Sequence, residues 1–393
     1  MANIGYIQVV RHCNHLCGFC SNPTTPYVHT FETMKVLVDD LVDRDYFGVI
    51  LTGGEPSLHP ELPRICGYAV EQGLHVRMIT NGSRMAEDNF ARQMAEAGLK
   101  LVHVSVYSHR PEVEQRLRGM EGTLERAFAA VGNALKYGIE VNINCVINRL
   151  NADHLHETIQ YWLDNHPGIR HFVWNNLDPS MGRAEVNQDA FTPRLSDFEY
   201  SLRKAMGLLD ASGRSFRVEK VPLCYMTDFA WASTETRKIV KGEERIVHFL
   251  DDKQTVRQTD WDHLYSDACQ VCSLRTICGG LFERGNGYDP AELHPVFLDR
   301  GDVVERIIHD PNDPSYEFRT LADWERDFEI RLEEARSEST VKERVAGDGD
   351  RPPVEPGAPA VGFTTDKSTK VAAARKRSEE KRLKKNDELL KSN

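Results

Sequence analysis

Short apolar runs recur along the first half of the chain, at 6–10, 48–52, 75–80, 101–107, 140–148 and 170–175. The segments between them carry apolar residues at helical spacing. Met34, Leu37, Val38, Leu41 and Val42 form one such stripe. Strands alternating with amphipathic helices predict βαβ units and a parallel sheet from about residue 5 to 215. Six units are too many for a small flavodoxin-like sheet and too few for a full eight-fold barrel. A doubly wound sheet stays open on pattern alone. In either case ligands gather at the C-terminal ends of the strands.

From 216 to about 300 the alternation breaks into Gly, Pro and polar clusters with four cysteines. Within it, 229–262 is rich in alternating charges and reads as an exposed insertion. Residues 316–344 read as a polar helix, and 346–369 as a Pro/Gly-rich linker. The expected organisation is a core over 1–215, a small irregular domain over 216–300, a helical extension over 301–345, and a disordered linker with a basic tail over 346–393.

Charge and composition narrow the function. The chain of 393 residues carries 49 basic and 60 acidic residues, net −11. The tail from Lys370 holds nine basic and four acidic residues, +5, which leaves −16 for the rest. That balance is wrong for coating nucleic acid. No run of 18 apolar residues spans a membrane. The N-terminus lacks a basic segment and a cleavage pattern, so export is not expected and a cytoplasmic setting is.

The nine cysteines are odd in number and too sparse for a disulfide scaffold. Cys13, Cys17 and Cys20 form a Cys-x3-Cys-x2-Cys loop directly after the first strand. Structural zinc sites want four ligands, which this loop could complete only with a distant residue or with His12 or His15. Three thiolates alone suit a [4Fe–4S] cube, leaving the fourth iron open to a ligand.

This loop resembles the cluster-binding triad of the radical S-adenosylmethionine (SAM) superfamily, with Phe19 at the position of that family's aromatic. The resemblance covers roughly 5–215. It implies a partial (β/α)6 barrel in which SAM, bound to the open iron, is cleaved reductively to a 5′-deoxyadenosyl radical that takes hydrogen from substrate. It also assigns expected SAM contacts. Gly53-Gly54-Glu55-Pro56 resembles the stretch that recognises the SAM amino group. In the fourth strand, read through Val104-Ser105-Val106-Tyr107-Ser108, Ser105 fits the family's serine, whereas Tyr107 and Ser108 depart from its Asp and Gly. Arg118-Gly119, read as a helix entry, resembles an Arg-Gly that meets the SAM carboxylate. Asn144 faces away from Ile143, Cys145 and Ile147, and its amide needs a partner, either SAM or backbone. Thr80-Asn81-Gly82 is supportive. Gly182-Arg183-Ala184 resembles a short maturase motif without an assigned role. Cys66 and Cys145 read as core thiols.

Cys269, Cys272 and Cys278 form a Cys-x2-Cys-x5-Cys stretch, and Cys224 is a plausible fourth ligand. Spacing alone allows zinc or a [4Fe–4S] cluster. The stretch resembles the auxiliary-cluster region of SPASM and twitch-type radical SAM enzymes, over about 220–285. Phe282 stands where the full SPASM pattern has its next cysteine. The resemblance therefore implies one fully ligated auxiliary cluster, and two clusters per chain.

The expected function is oxidative modification or cross-linking of a peptide or protein. The alternative is the same chemistry on a small-molecule cofactor, sugar or antibiotic precursor. Expected partners are that substrate and an electron donor such as flavodoxin or ferredoxin. The chain starts at the first strand, so recognition of a precursor peptide is expected from a separate protein, the 216–300 domain or the tail. Tyr107, Asp178 and Glu55 are candidate bases by position.

Overall fold

The computed structural model describes residues 4–22, 25–242, 246–248, 255–257, 263–282, 287–310 and 320–346. The linker after 346 and the basic tail lie outside them. Met1–Arg319 forms one compact unit and Thr320–Asn393 a second.

In the first unit, the six apolar runs become the first six of seven parallel strands in sequential order: β1 (Ile4–Val10), β2 (Gly48–Gly53), β3 (His75–Thr80), β4 (Leu101–Ser105), β5 (Glu140–Ile147), β6 (His171–Asn176) and β7 (Ser215–Glu219). Helices α1 (Phe31–Asp43), α2 (Leu62–Glu71), α3 (Asp88–Glu96), α4 (Pro111–Arg118), α5 (Thr123–Lys136), α6 (Leu155–Asn165), α7 (Gly182–Val186), α8 (Gln188–Phe191) and α9 (Leu195–Ala211) lie between them. Their apolar stripes face the sheet; in α1, Met34, Val38 and Leu41 are buried. Alternation along the strands sends one face to the helices and the other to the barrel interior. On β5 Ile143, Cys145 and Ile147 go outward to the helices and Asn144 goes inward. The sheet curls into the partial barrel that the sequence predicts.

Three expectations change. The alternation does not stop at 215, because β7 adds a seventh parallel strand beside β6. The stretch 229–262 is not an exposed insertion where it is described. Ala230, Trp231 and Ala232 are buried, α10 (Thr234–Lys241) buries Val240, and β8 (Ile246–His248) adds a parallel strand to the free edge of β1. Its polar residues hid a contribution to the sheet too short to show a period. β9 (Thr255–Arg257) then pairs antiparallel with β8. Lastly, the fourth strand ends at Ser105, before Tyr107 and Ser108.

A two-stranded ribbon, β10 (His263–Leu264) with β11 (Leu281–Phe282), frames the second cysteine cluster. Helix α11 (Arg300–Ile308) packs on α10. In the second unit, α12 (Leu321–Ala346) matches the polar helix expected there. No helix among the described residues is long and apolar enough to cross a membrane.

Candidate active site

The C-terminal ends of the strands open into a pocket of about 420 Å³. Cys13, Cys17 and Cys20 line it from beyond β1, and Gly53, Gly54 and Glu55 from β2. Asn81, Ser105 and Asn144 follow at the ends of β3, β4 and in β5. Asp178 and Lys220 close it past β6 and β7. The residues that the sequence singled out for the first cluster or for SAM therefore border one cavity, except Pro56 and Gly119.

The cysteine loop is held by backbone bonds from three directions. Gly54 and Glu55 donate N–H to Val10 O and His12 O, at 2.8 and 3.0 Å. Leu16 and Gly18 donate to Arg118 O and Leu117 O. Ala184 donates to Cys20 O at 3.1 Å, Arg183 Nε to Cys17 O at 2.7 Å, and Asn187 Nδ2 to Gly18 O at 3.0 Å. Phe19 anchors the loop by packing edge-on against Tyr107, ring centroids 4.7 Å apart. Gly182-Arg183-Ala184 thus acquires a role: it clamps the loop. Asn187 was missed, since it stands in no motif and its function appears only when distant segments meet; Asn81 was legible only as part of the supportive Thr80-Asn81-Gly82.

The glycines answer to the chain itself. A Cβ on Gly53, at φ +137°, would lie 2.0 Å from Val10 O, and one on Gly54 2.1 Å from His12 O. The β2 turn must press directly on the cysteine loop, so no side chain fits at either place.

Glu55 is buried, and its carboxylate accepts from Ser57 N, Ser57 Oγ, Thr80 Oγ1 and Asn81 N, at 2.5–3.1 Å. Burial nonetheless pushes its pKa up. These four donors tie β2 to β3 and leave little capacity for a proton-transfer role.

Arg118 closes α4 rather than opening a helix, with Gly119 left-handed (φ 66°) as its cap. The guanidinium is fully buried. Nε donates to Glu114 Oε1 at 2.6 Å, Nη1 to Asn81 O at 3.4 Å and contacts His15 Nδ1 at 3.2 Å, and Nη2 donates to Ser105 O. Glu114 Oε2 accepts from Tyr107 N and Ser108 N. Arg118 therefore binds the cysteine loop to β3 and β4 while still bordering the pocket. Buried His15 keeps Nε2 without a protein partner in the described structure. Asn144 has its carbonyl oxygen held by Asn175 Nδ2 at 2.8 Å, so its partner is a neighbouring amide rather than backbone.

Cys17 feels the charge of Cys20 and Cys13, and Cys13 that of Cys20. Burial raises the pKa of Cys13, and that of Cys17 to about 12. Such thiols become thiolates when a cation replaces the proton.

Cys224, Cys269, Cys272 and Cys278 surround a second, much smaller cavity with Tyr265, Arg275 and His294. Here hydrogen bonds point at sulfur. Gly280 N donates to Cys278 Sγ at 3.3 Å and Val296 N to Cys272 Sγ at 3.5 Å. Ser266 Oγ lies 3.5 Å from Cys269 Sγ, and the His294 backbone bonds Cys224. Cys66 does the opposite, donating its S–H to Ala97 O at 3.6 Å as a core thiol does. Donors aimed at the sulfurs of Cys224, Cys272 and Cys278 suit thiolate ligands. Among the described residues, no three His, Cys, Asp or Glu side chains are arranged to hold a single metal ion. Both thiol groups border a cavity.

A partial parallel barrel with an open three-thiol loop at its strand ends defines a class of iron–sulfur protein. Residues 7–161 match the family model described as Radical SAM superfamily. The matched family implies a [4Fe–4S] cluster and SAM as cofactors.

Among curated proteins, the chain is similar to Fe-coproporphyrin III synthase of Methanosarcina barkeri, at 31% identity over 149 residues, 37% of each chain. It is also similar to PqqA peptide cyclase of Ruegeria pomeroyi, at 27% over 157 residues, 39% of this chain and 42% of that one. The match thus spans about two fifths of these relatives. Among solved structures, "Native anSMEcpe with bound AdoMet" superposes with a TM-score of 0.55 at 16% identity, over 78% of this chain and 96% of that one. That likeness supports the fold.

Proposed function

We propose that this chain is a radical SAM enzyme that oxidatively modifies or cross-links a peptide or protein. Cys13, Cys17 and Cys20 hold the catalytic cluster, and Gly53, Gly54, Glu55, Ser105, Arg118 and Asn144 form the SAM side of the pocket. Cys224, Cys269, Cys272 and Cys278 hold an auxiliary cluster. The observation that carries the reading is the pocket itself: an open three-thiol group at one end, and the charged pair Asp178–Lys220, 3.4 Å apart, at the other. When bound, the cluster and SAM supply the hydrogen-abstracting radical.

The chain's own residues divide the remaining work. Arg118, Arg183 and Asn187 fix the cysteine loop. Glu55 and Asn81 fix the rim across from it. Asn175 orients Asn144. Asp178 is the best-placed proton acceptor: burial alone would raise its pKa, but Lys220 and Ser180 outweigh burial and hold it low, so the group stays ionised. Its Oδ1 accepts from Ser180, and Oδ2 faces Lys220. The hydrogen-bonded four-thiol site supports a second cluster that accepts an electron from the substrate, the step an oxidative maturase needs.

The similarity to a protein named PqqA peptide cyclase favours the peptide reading. The similarity to Fe-coproporphyrin III synthase keeps a small-molecule substrate as the second reading. An electron donor of the flavodoxin or ferredoxin type and a separate peptide-recognition protein complete the proposal, in a cytoplasmic setting.

Anaerobic purification tests it. Eight irons and sulfides per chain, with SAM cleaved after dithionite, are expected from two clusters. A colourless protein with two zinc ions would sink the reading. Ala at Cys13, Cys17 and Cys20 should abolish cleavage. Ala at Cys269 and Cys272 should keep uncoupled cleavage and stop product, followed as a mass change on candidate peptides.

A further inference from the structure

The segment Tyr288–Val296 joins the wall of the strand-end pocket to the four-thiol cavity. At its start, the Tyr288 hydroxyl is directed at Asn176 Oδ1 and Leu177 O, each at 2.9 Å, where the end of β6 forms the pocket wall. At its far end, Val296 N donates to Cys272 Sγ, and the backbone of His294 bonds Cys224. Between them Glu292 fixes the segment. Its Oε2 accepts from Leu195 N at 2.8 Å, and its carbonyl accepts from Tyr225 Oη–H at 2.7 Å.

The wall that Tyr288 meets is under tension. Lys220 is one of three non-glycine residues with positive φ among those described, at 61°. Such a conformation persists where surroundings over-determine it. Here two bonds do so: Lys220 N donates to Glu235 Oε2 at 3.0 Å, and Asn176 Nδ2 donates to Lys220 O at 3.3 Å. The amide that holds Lys220 is therefore itself held, at its other end, by Tyr288. Lys220 and Asp178 together form the charged end of the pocket.

We infer that Tyr288 is a positioning residue through which the four-thiol site sets the shape of the substrate end of the pocket. Its hydroxyl aligns Asn176, Asn176 holds Lys220 in its left-handed conformation, and the metal-loaded thiols keep Tyr288 in place by ordering the segment that carries it. The residues on the β1–β5 side lie outside this chain of contacts, so SAM cleavage without substrate does not depend on it. The inference rests on the reading that the four thiols hold a cluster.

The test is amide exchange on the anaerobic holoenzyme, read by mass spectrometry. Tyr288→Phe keeps the ring and removes the hydroxyl. Exchange over 175–180 and 218–222 should quicken about tenfold, the factor that losing one buried hydrogen bond gives a local opening. Iron content, the paramagnetic resonance spectra of both clusters and substrate-free SAM cleavage should stay unchanged. Unchanged exchange in those two segments would overturn the role of Tyr288. The Cys269→Ser, Cys272→Ser double variant should quicken the same two segments. Quickening confined to 263–298 would overturn the link to the thiols. Iron analysis of the unmodified chain reports separately on the cluster reading: four irons instead of eight would overturn that reading, while Tyr288→Phe still decides the strut.

Discussion

The Nε–H of Arg183 meets the carbonyl oxygen of Cys17 at 2.7 Å, joining positions 166 residues apart. The contact forms because α7 begins at a left-handed glycine. Gly182 has φ 63°, and a Cβ there would lie 2.7 Å from Cys20 O. The helix start is thus pressed against the cysteine loop, with Asn187 one turn on reaching Gly18 O.

Arg183→Met should therefore loosen the loop without touching a thiol. Losing a charge-assisted hydrogen bond costs roughly 1.5–3 kcal/mol locally. The expected result is less iron retained at Cys13, Cys17 and Cys20 after anaerobic gel filtration, with the auxiliary site still loaded. Asn187→Ala should do the same more weakly. Full iron occupancy in both variants would count against the clamp.

The glycines give a paired stability test. Gly53→Ala puts a methyl against the backbone of Val10 at a positive φ, and backbone cannot yield as a side chain can. A loss of roughly 2–4 kcal/mol is expected. Gly67 lies inside α2 with nothing within 4 Å of an added Cβ. Gly67→Ala should stabilise by about 0.5–1 kcal/mol. Urea denaturation of the two variants checks both signs.

Glu114 and Arg118 are both fully buried and 2.6 Å apart. Glu114→Ala would strand the guanidinium and free the N–H groups of Tyr107 and Ser108. Breaking a buried pair from one side costs roughly 3–5 kcal/mol. Arg118→Leu, by the same argument, strands Glu114. The double variant should lose less than the sum of the two, measured as a double-mutant cycle by denaturation.

How far these features could be read in advance varies with their range. The six strands fall where the apolar runs lie, because alternation and helical periodicity are local signals. The thiols were legible because cysteine spacing is itself the signal. Arg183 was visible only as an unassigned motif, and Tyr288 not at all, since both act on partners more than a hundred positions away. β8 was hidden because a three-residue strand has no period, and charged neighbours masked it. Arg118 was placed at a helix start because Arg-Gly carries no direction; the left-handed Gly119 shows that it is a C-terminal cap.

The barrel interior also sets an acid limit. His171 sits on β6 with its Nδ1 against Ser215 Oγ at 2.7 Å. Burial, then Arg217, His103 and Arg77, hold its pKa down at about 3. His103 is held at about 4 by burial and Arg77. Both stay neutral in the fold but protonate near 6.5 when the chain unfolds. The unfolded state therefore binds more protons between those values, and stability falls as pH drops through that window. Between pH 7.5 and 5.5 each should remove about 1.4 kcal/mol. His171→Asn cannot titrate, so its stability should fall by about 1.4 kcal/mol less than that of the unmodified chain over the same interval. Denaturation of both proteins at the two pH values measures the difference. Parallel losses would mean that His171 is not the neutral, half-buried group that its surroundings require.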